Sequence, residues 1–544
     1  MSVTSCISWI LLAIITATIA ITLLCKYPAW DSKKKDSNGR PNKSRHEKWF
    51  YVWLIGLSTL GGFWALFLPL ALNQKFDGPN ADGNQLRLHL LYITGGVLAL
   101  TTLGETHRKN TLEKHKNDQD HIRQVHAERR SRYTAAIEQL SSDKASIRLG
   151  GVYTLVGLVD EWLADEKTIP NFEERHKEGQ VIINNLCAYI RSPFLIAERA
   201  EQLDKPYAKD LQKDFDGDAE KFDTDKRAFT RDKAALEEER QIRQSIIKEI
   251  CERLQDFDEP GPWSSFDYDF SNAYFFYPVT FEHSHFDASV NFYKTIFSKN
   301  VSFYRVIFKK DVKFIYATFK GKAYFAETKF IGDAKFIMVD FFEDADFTRV
   351  NLPLTKKIND VTLLPLLNPG LDFSKSKFQK SAIFKNAEFT RAASFRKVKF
   401  LQKAIFSHST FSGYGCGKLY TTFEQANFIK GVDFSEAKFI EETAPSMTKG
   451  PFFSGATFSG DSNFSKATFQ AEPIFEYTPD DKIYKARFSC KADPEDYNFE
   501  VSPDSPCIIE TKEQEYDGVK FMIPNGAELF DPDEPSDLEN NDDI

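Results

Sequence analysis

From Phe281 to Phe347 a phenylalanine returns at alternating intervals of five and six residues, through Phe286, Phe292, Phe297, Phe303 and onward to Phe336 and Phe341. The rhythm resumes over Phe373–Phe411, Phe423–Phe439 and Phe453–Phe475. Two places before the ring there is usually a small or β-branched residue, as at Val301, Val306, Val312, Ala317, Ala323, Ala334 and Ala345. A single helix cannot carry this pattern. At about 100° per residue, steps of five and six put successive rings about 140° apart, on two separated stripes. A right-handed coiled coil of eleven-residue period would not choose Phe and Val so often. A continuous strand fails as well, because positions five apart face opposite sides. Only a chain that turns a corner within each step keeps every ring inside.

Four such faces close one coil of about 22 residues, and stacked coils lie about 4.8 Å apart. Phe281, Phe303, Phe325 and Phe347 then stand above one another, and Phe286, Phe308 and Phe330 form the next stack, continued by Leu352. Burying each ring contributes roughly 2–3 kcal/mol before the entropy of ordering the coil opposes it. Three interruptions, 353–371, 412–422 and 440–452, break the rhythm, and each restarts in phase. They read as loops leaving the coil. The Phe series with its preceding small residues resembles the pentapeptide-repeat family over roughly Phe266 to Phe475. That resemblance implies a right-handed quadrilateral β-helix, with the Phe series at the family's central inward position and Ala317, Ala323 and their equivalents at its small position. The extra residue in alternate steps departs from a strict five-residue rule and predicts that two of the four corners bulge.

The first hundred residues have another composition. Ile7–Leu24, Trp49–Leu72 and the shorter Leu88–Gly104 are apolar runs near the length that crosses a bilayer. No Lys or Arg precedes Ile7 and no Ala-x-Ala cleavage site follows it, which favours an uncleaved anchor over a signal peptide. The segment Lys26–Lys48 holds eight Lys and Arg, the segment 73–86 only Lys75, and a basic run from Arg108 follows the third candidate. Positive charge on the cytoplasmic side then predicts three crossings, an outside N-terminus and a cytoplasmic bulk. Seven scattered cysteines form no paired framework, in keeping with a reducing compartment.

Residues 106–260 read as a helical module with a charged insertion. Val152, Leu155, Val156, Val159 and Leu163 recur at helical spacing behind a cap-like Ser141, Ser142 and Asp143. Ile182, Leu186 and Ile190 form a second apolar face, and Ile242, Ile246, Ile250 and Leu254 a third, separated by the densely charged Glu198–Arg240. The stretch YTAAIEQLSSDKASIRLGGVY, Tyr133 to Tyr153, is similar to the helical module preceding the repeats in membrane-anchored bacterial pentapeptide-repeat proteins. That likeness implies a bacterial inner membrane. From Glu476 the chain is acidic, with twenty Asp and Glu against six Lys and Arg. Its end, 531–544, has the composition of a disordered segment, while Phe488, Ile508, Ile509, Val519, Phe521, Met522 and Ile523 could cap the last coil. The expected division is therefore 1–105 transmembrane (helices near 7–24, 50–72 and 88–104), 106–260 helical, 261–476 β-helix and 477–544 acidic cap and tail. The fold class is α plus β-solenoid.

Chemistry is sparse. His283 and His285 form an H-x-H pair expected to project from one face, with Glu282 and Asp287 as further ligands of a metal; two solvated histidines are the simpler reading. Gly413, Gly415, Gly417 and Lys418 mimic a phosphate loop, but the spacing is wrong, Leu419 replaces the needed Ser or Thr, and the repeat resumes where a helix should start. Cys416 has no evident histidine partner. No catalytic, cofactor-binding or metal residue is therefore assigned. Some soluble pentapeptide-repeat proteins resemble duplex DNA in width and charge and modulate type II topoisomerases, which implies a strongly acidic rod. From Gly261 to Phe475 there are 27 Lys and Arg against 21 Asp and Glu. A mildly basic coil imitates no phosphate backbone, and interspersed acids argue against nucleic-acid binding. Lys375, Lys377, Lys380, Lys385, Arg391, Arg396, Lys397 and Lys399 form a local basic stretch, suited to acidic lipid, the acidic tail or an acidic partner, or simply solvated. The expected function is a non-enzymatic, membrane-anchored scaffold that binds an unidentified protein partner, with homodimerisation through the last coil or the charged helices as an option.

Overall fold

The computed structural model describes residues 43–72, 82–205, 219–256, 259–353, 370–414, 421–440, 451–478 and 482–534. The expected crossing at Ile7–Leu24, most of the three interruptions and the residues from 535 lie outside that set. The chain divides into two compact units, Met1–Ala127 and Glu128–Ile544. The division falls inside a helix, not at the composition change near residue 105.

In the first unit, α1 (Lys43–Ala71) and the opening of α2 (Asp82–Leu140) are long and apolar enough to cross a membrane over Trp53–Leu70 and within α2. Gly61 has no side chain because a Cβ there would lie 2.0 Å from a Thr94 methyl. Large apolar residues such as Leu91, Ile93, Leu100 and Leu103 are exposed. The hydroxyls of Thr94, Thr101 and Thr102 donate to carbonyls four residues back, so these polar groups are satisfied without water.

The second unit joins a helical module to a four-sided coil through one continuous apolar core. In α3 (Ala145–Ala164), Val152, Leu155, Val156 and Val159 are buried as their spacing predicts, while Leu163 is half-buried. Its N-cap is Lys144, without a side-chain cap bond; the expected Ser142 hydroxyl instead accepts from Lys144 N at 3.2 Å, two residues too early to cap the helix. α4 (Phe172–Arg191) is capped by Asn171, whose side chain accepts from Glu173 N at 2.9 Å. A short α5 (Ala200–Leu203) leads toward α6 (Ala219–Arg253), which buries Ile242, Ile246 and Ile250. The charged stretch is thus partly a packed helix, with Phe229 and Leu236 buried.

The helices cover the opening edge of the coil. Gly179 of α4 is a close-approach position: a Cβ would meet the Phe266 ring at 2.7 Å. His176 stacks on that ring at 4.5 Å, and Arg191 pairs with Asp269 at 2.6 Å. Asp160 holds both Arg253 (2.9 Å) and the Trp263 indole N–H (2.8 Å). Buried Arg243 reaches Glu239, Ile190 O and Ser192 O at 2.7–2.8 Å, tying α6 to the end of α4.

Four parallel sheets form the walls of the coil. The first face starts at Tyr268–Asp269, the second at Tyr274–Phe275, the third at Val279–Thr280 and the fourth at His285–Phe286. Register is strict: Phe319 pairs between Phe297 and Phe341, and Ala323 between Val301 and Ala345. Rings in one stack lie nearly parallel, as for Phe281–Phe303 (5.2 Å), Phe303–Phe325 (4.8 Å) and Phe325–Phe347 (4.7 Å). Rings of neighbouring stacks meet edge to face, as for Phe314–Phe325 at 90°, the arrangement that aromatic quadrupoles favour.

The two step lengths make two kinds of corner. Each five-residue step is a tight turn closed by a bond such as Ser284 N to Phe281 O (3.1 Å) or Ala317 N to Phe314 O (2.9 Å). Its third residue is left-handed, with φ of 55–59° at Asn272, His283, Lys294, Arg305, Tyr316 and Glu327. That pattern is a type II turn. The six-residue steps form wider corners; there Phe286 O accepts from Lys309 N of the next coil (2.8 Å).

The ladder continues past Phe475. Phe488 stacks on Phe458 at 4.6 Å, and Arg487–Ser489 and Glu528–Phe530 extend the second face. An antiparallel hairpin, Thr511–Tyr516 with Val519–Pro524, follows on the last coil. It buries Phe521 and Ile523 beside Ile509, whereas Ile508, Val519 and Met522 are exposed.

Candidate functional site

The H-x-H pair does not project as a pair. His283 is an exposed left-handed turn residue, but His285 is only 8 % exposed. His285 begins the fourth face, where Leu254 O, just past α6, accepts from its backbone N–H at 2.9 Å. The helical module thus covers an outward position that would be solvated on any later coil. Among the described residues no group of three or more His, Cys, Asp and Glu could hold a metal. Lys418 and Cys416 lie outside the described residues. Gly413 sits in the strand Thr410–Tyr414, and the chain re-enters the coil by Thr422, so no helix follows as a phosphate loop requires. Cys187 and Cys251 are buried, and burial pushes both thiols up to about 12, which leaves little thiolate for nucleophilic chemistry.

What the coil presents outward is a set of vertical columns, one residue per coil. Several columns alternate in charge: Arg305 pairs with Glu327 at 2.6 Å and Glu327 with Arg349 at 3.4 Å on one corner. Lys309–Asp287 (2.6 Å) and Lys403–Asp461 (2.7 Å) repeat the device elsewhere. On the third face, Tyr304 and Tyr324 wall a shallow hollow of about 490 Å³ over Thr280 and Ser302.

The basic stretch is dispersed by the fold. Arg391 is 3 % exposed, bonded to Asp333 (2.9 Å), Phe330 O (3.0 Å) and Gly332 O (2.7 Å). Burial lowers its pKa, and burial also raises that of Asp333 in spite of the neighbouring cation. Arg396 is engaged by Glu424 at 3.7 Å. Lys377 and Lys399 stand directly above one another on the second face.

The three interruptions share one edge. Each leaves after a residue of the Phe286 stack, Leu352, Phe411 or Phe439, and returns to the first face at Leu371, Thr422 or Phe452. All three departures therefore occupy the corner between the fourth and first faces, within four consecutive coils. This convergence was present in the sequence: counting rings by fours through each break identifies it. Arg391 fills the same corner on the one intervening coil that makes no excursion.

Residues 270–318, 314–352 and 373–415 match the family described as Pentapeptide repeats (9 copies). No curated protein and no solved structure matches the chain.

Proposed function

We propose that this pentapeptide-repeat protein is a non-enzymatic scaffold, anchored in a bacterial inner membrane and offering the sides of its coil to a protein partner on the cytoplasmic side. The observation that carries this reading is the gathering of all three departures on one edge. In repeat proteins, insertions collected on one side mark the variable, recognising side, while the stack behind them holds the geometry. Two apolar helices of spanning length support an anchor. The charge asymmetry of the flanking segments supports the orientation.

The test is photo-crosslinking in native membranes. A crosslinker replaces Lys329 or Lys438 on the fourth face, or Tyr324 or Asn463 on the third. A single partner captured from the fourth face and not from the third is the expected result. Identical background capture from both faces would remove the reading. The topoisomerase-modulating activity of some soluble relatives calls for an acidic rod, and the count of 27 basic against 21 acidic residues opposes it. Purified chain is accordingly expected to leave gyrase supercoiling unchanged.

A further inference from the structure

Strict register also sorts the outward residues of the tight corners. The corner between the first and second faces carries Tyr293 with Lys294, Ile315 with Tyr316 and Ile337 with Met338 on three consecutive coils. The coils on either side place Ser271 with Asn272 and Ser374 with Lys375 there. The opposite corner, between the third and fourth faces, holds the ion-paired column of Arg305, Glu327 and Arg349 on the same three coils. Of these two corners only the first bears an apolar ridge. Tyr316 is 46 % exposed, its ring meets Tyr293 edge to face at 5.9 Å, and the Lys294 ammonium lies over the two rings at 5.3 and 5.9 Å.

Charge flanks the ridge on both sides. On the first face Lys335 stands between Lys313 below and Asp372 above. On the second face Asp340 stands between Thr318 below and Lys377 above. Opposite charges are one ladder step apart on each face, yet among the described residues no ion pair closes at Lys335, Asp340 or Lys377. Asp333, two residues before Lys335, is held by Arg391 at 2.9 Å.

The two flanks are complementary to each other. A two-fold axis parallel to the coil brings the first face of one copy opposite the second face of another at the same level. Lys335 then meets Asp340 of the second copy, and Asp372 meets Lys377 of the second copy, each twice by symmetry. On the ridge Ile315 meets Tyr316, Ile337 meets Met338, and Tyr293 meets the Lys294 ammonium, a cation against an aromatic face. An antiparallel pairing instead sets each face against itself. Centred on the ridge, it places Lys313 or Lys335 against a lysine of the other copy, and like charges so opposed repel.

We propose that the chain pairs with a second copy of itself along this corner, the two coils parallel and in register. The ridge spans about 10 Å of coil, less than a standard interface covers, so the pairing is weak and is favoured where copies are concentrated. The inference is separate from the partner-binding reading above, which concerns the corner between the fourth and first faces.

Thiol crosslinking of two differently tagged full-length copies tests it, in membranes and, separately, concentrated in detergent, so that the result does not hinge on the anchor. A short bismaleimide is expected to join the copies through Tyr316→Cys, which lies beside the axis, several-fold above the background set by the parent chain's own cysteines. Arg349→Cys, at the same left-handed site of the opposite corner, should stay at that background. Asp340→Lys sets a lysine against Lys335 and should cut the Tyr316→Cys yield several-fold; adding Lys335→Glu should restore most of it. Rescue by the second charge change separates lost pairing from lost folding. No excess dimer from Tyr316→Cys in either setting overturns the proposal. So does an equal yield from Arg349→Cys, which marks chance collision, or a double variant that pairs no better than the single one.

Discussion

Single residues decide where this coil turns and where it is held. The left-handed corners are occupied by Lys, Arg, Glu, Tyr and His, for which that backbone costs about 1 kcal/mol or more. Gly455 takes the position once, with φ of 70°. Lys466→Gly is therefore expected to leave stability within about 1 kcal/mol, while the β-branched Lys466→Val lowers the thermal midpoint distinctly. The ring spacing calls for a corner in each step, but apart from Asn272, Asn386 and Gly455 the residue at the left-handed position does not mark it, because ordinary turn chemistry looks for Gly or Asn there and the ladder imposes the geometry on whatever residue arrives. Arg391 was equally hidden. Counted among surface cations, it is an interior ion-pair partner because the chain leaves the coil at Leu352 and opens a corner. Removing one member of such a pair costs about 3–5 kcal/mol, so Arg391→Ala should destabilise strongly in chemical denaturation. Combining it with Asp333→Asn should recover part of the loss, since the stranded carboxylate disappears.

The stack and the helical layer over it obey different rules. Phe325 touches rings above, below and beside it, and Phe325→Ala should cost about 3–5 kcal/mol in chemical denaturation. Leu352, between Phe330 and Phe389 in the fourth-face stack, shows that an aliphatic chain can take a ring's place, so Phe325→Leu should cost clearly less. The helical layer depends more on charge. Burial alone would raise the Asp165 carboxyl, but hydrogen bonds from Thr168 and Arg129 outweigh it and hold the pKa down to about 2. A carboxyl depressed in the folded state adds stability above its unfolded value near 3.8 and loses it as pH falls through the folded one. The stability gap between the parent chain and Asp165→Asn should accordingly be constant near neutrality and close between pH 4 and 2, as denaturation at stepped pH would show. At this scale the sequence was legible wherever burial follows a period, as in Val152–Val159 and the ladder itself. It was illegible where burial comes from a neighbouring element, as at His285 beneath the end of α6.

The whole chain combines a unit with exposed apolar helices and a unit with a continuous core. The full-length chain should remain in the membrane pellet after alkaline carbonate washing, whereas the piece beginning at Glu128, one compact unit, should be released. A full-length chain recovered in the supernatant would remove the anchor. Residue spacing alone was enough to give the β-helix and its register, because every ring must face one axis. The outward surface was less legible: which lysines face one another depends on register across the breaks, and a linear run such as 375–399 mixes three corners and the interior.

The shared corner has a practical meaning. Chain that leaves after Leu352 comes back with Leu371 seated on Ala334, so the axial rise of the stack is indifferent to how much sequence is spliced between them. Length added there changes the girth of the rod and never its pitch. That makes the corner a natural port for grafting a foreign peptide or a fluorescent module without disturbing a single ring.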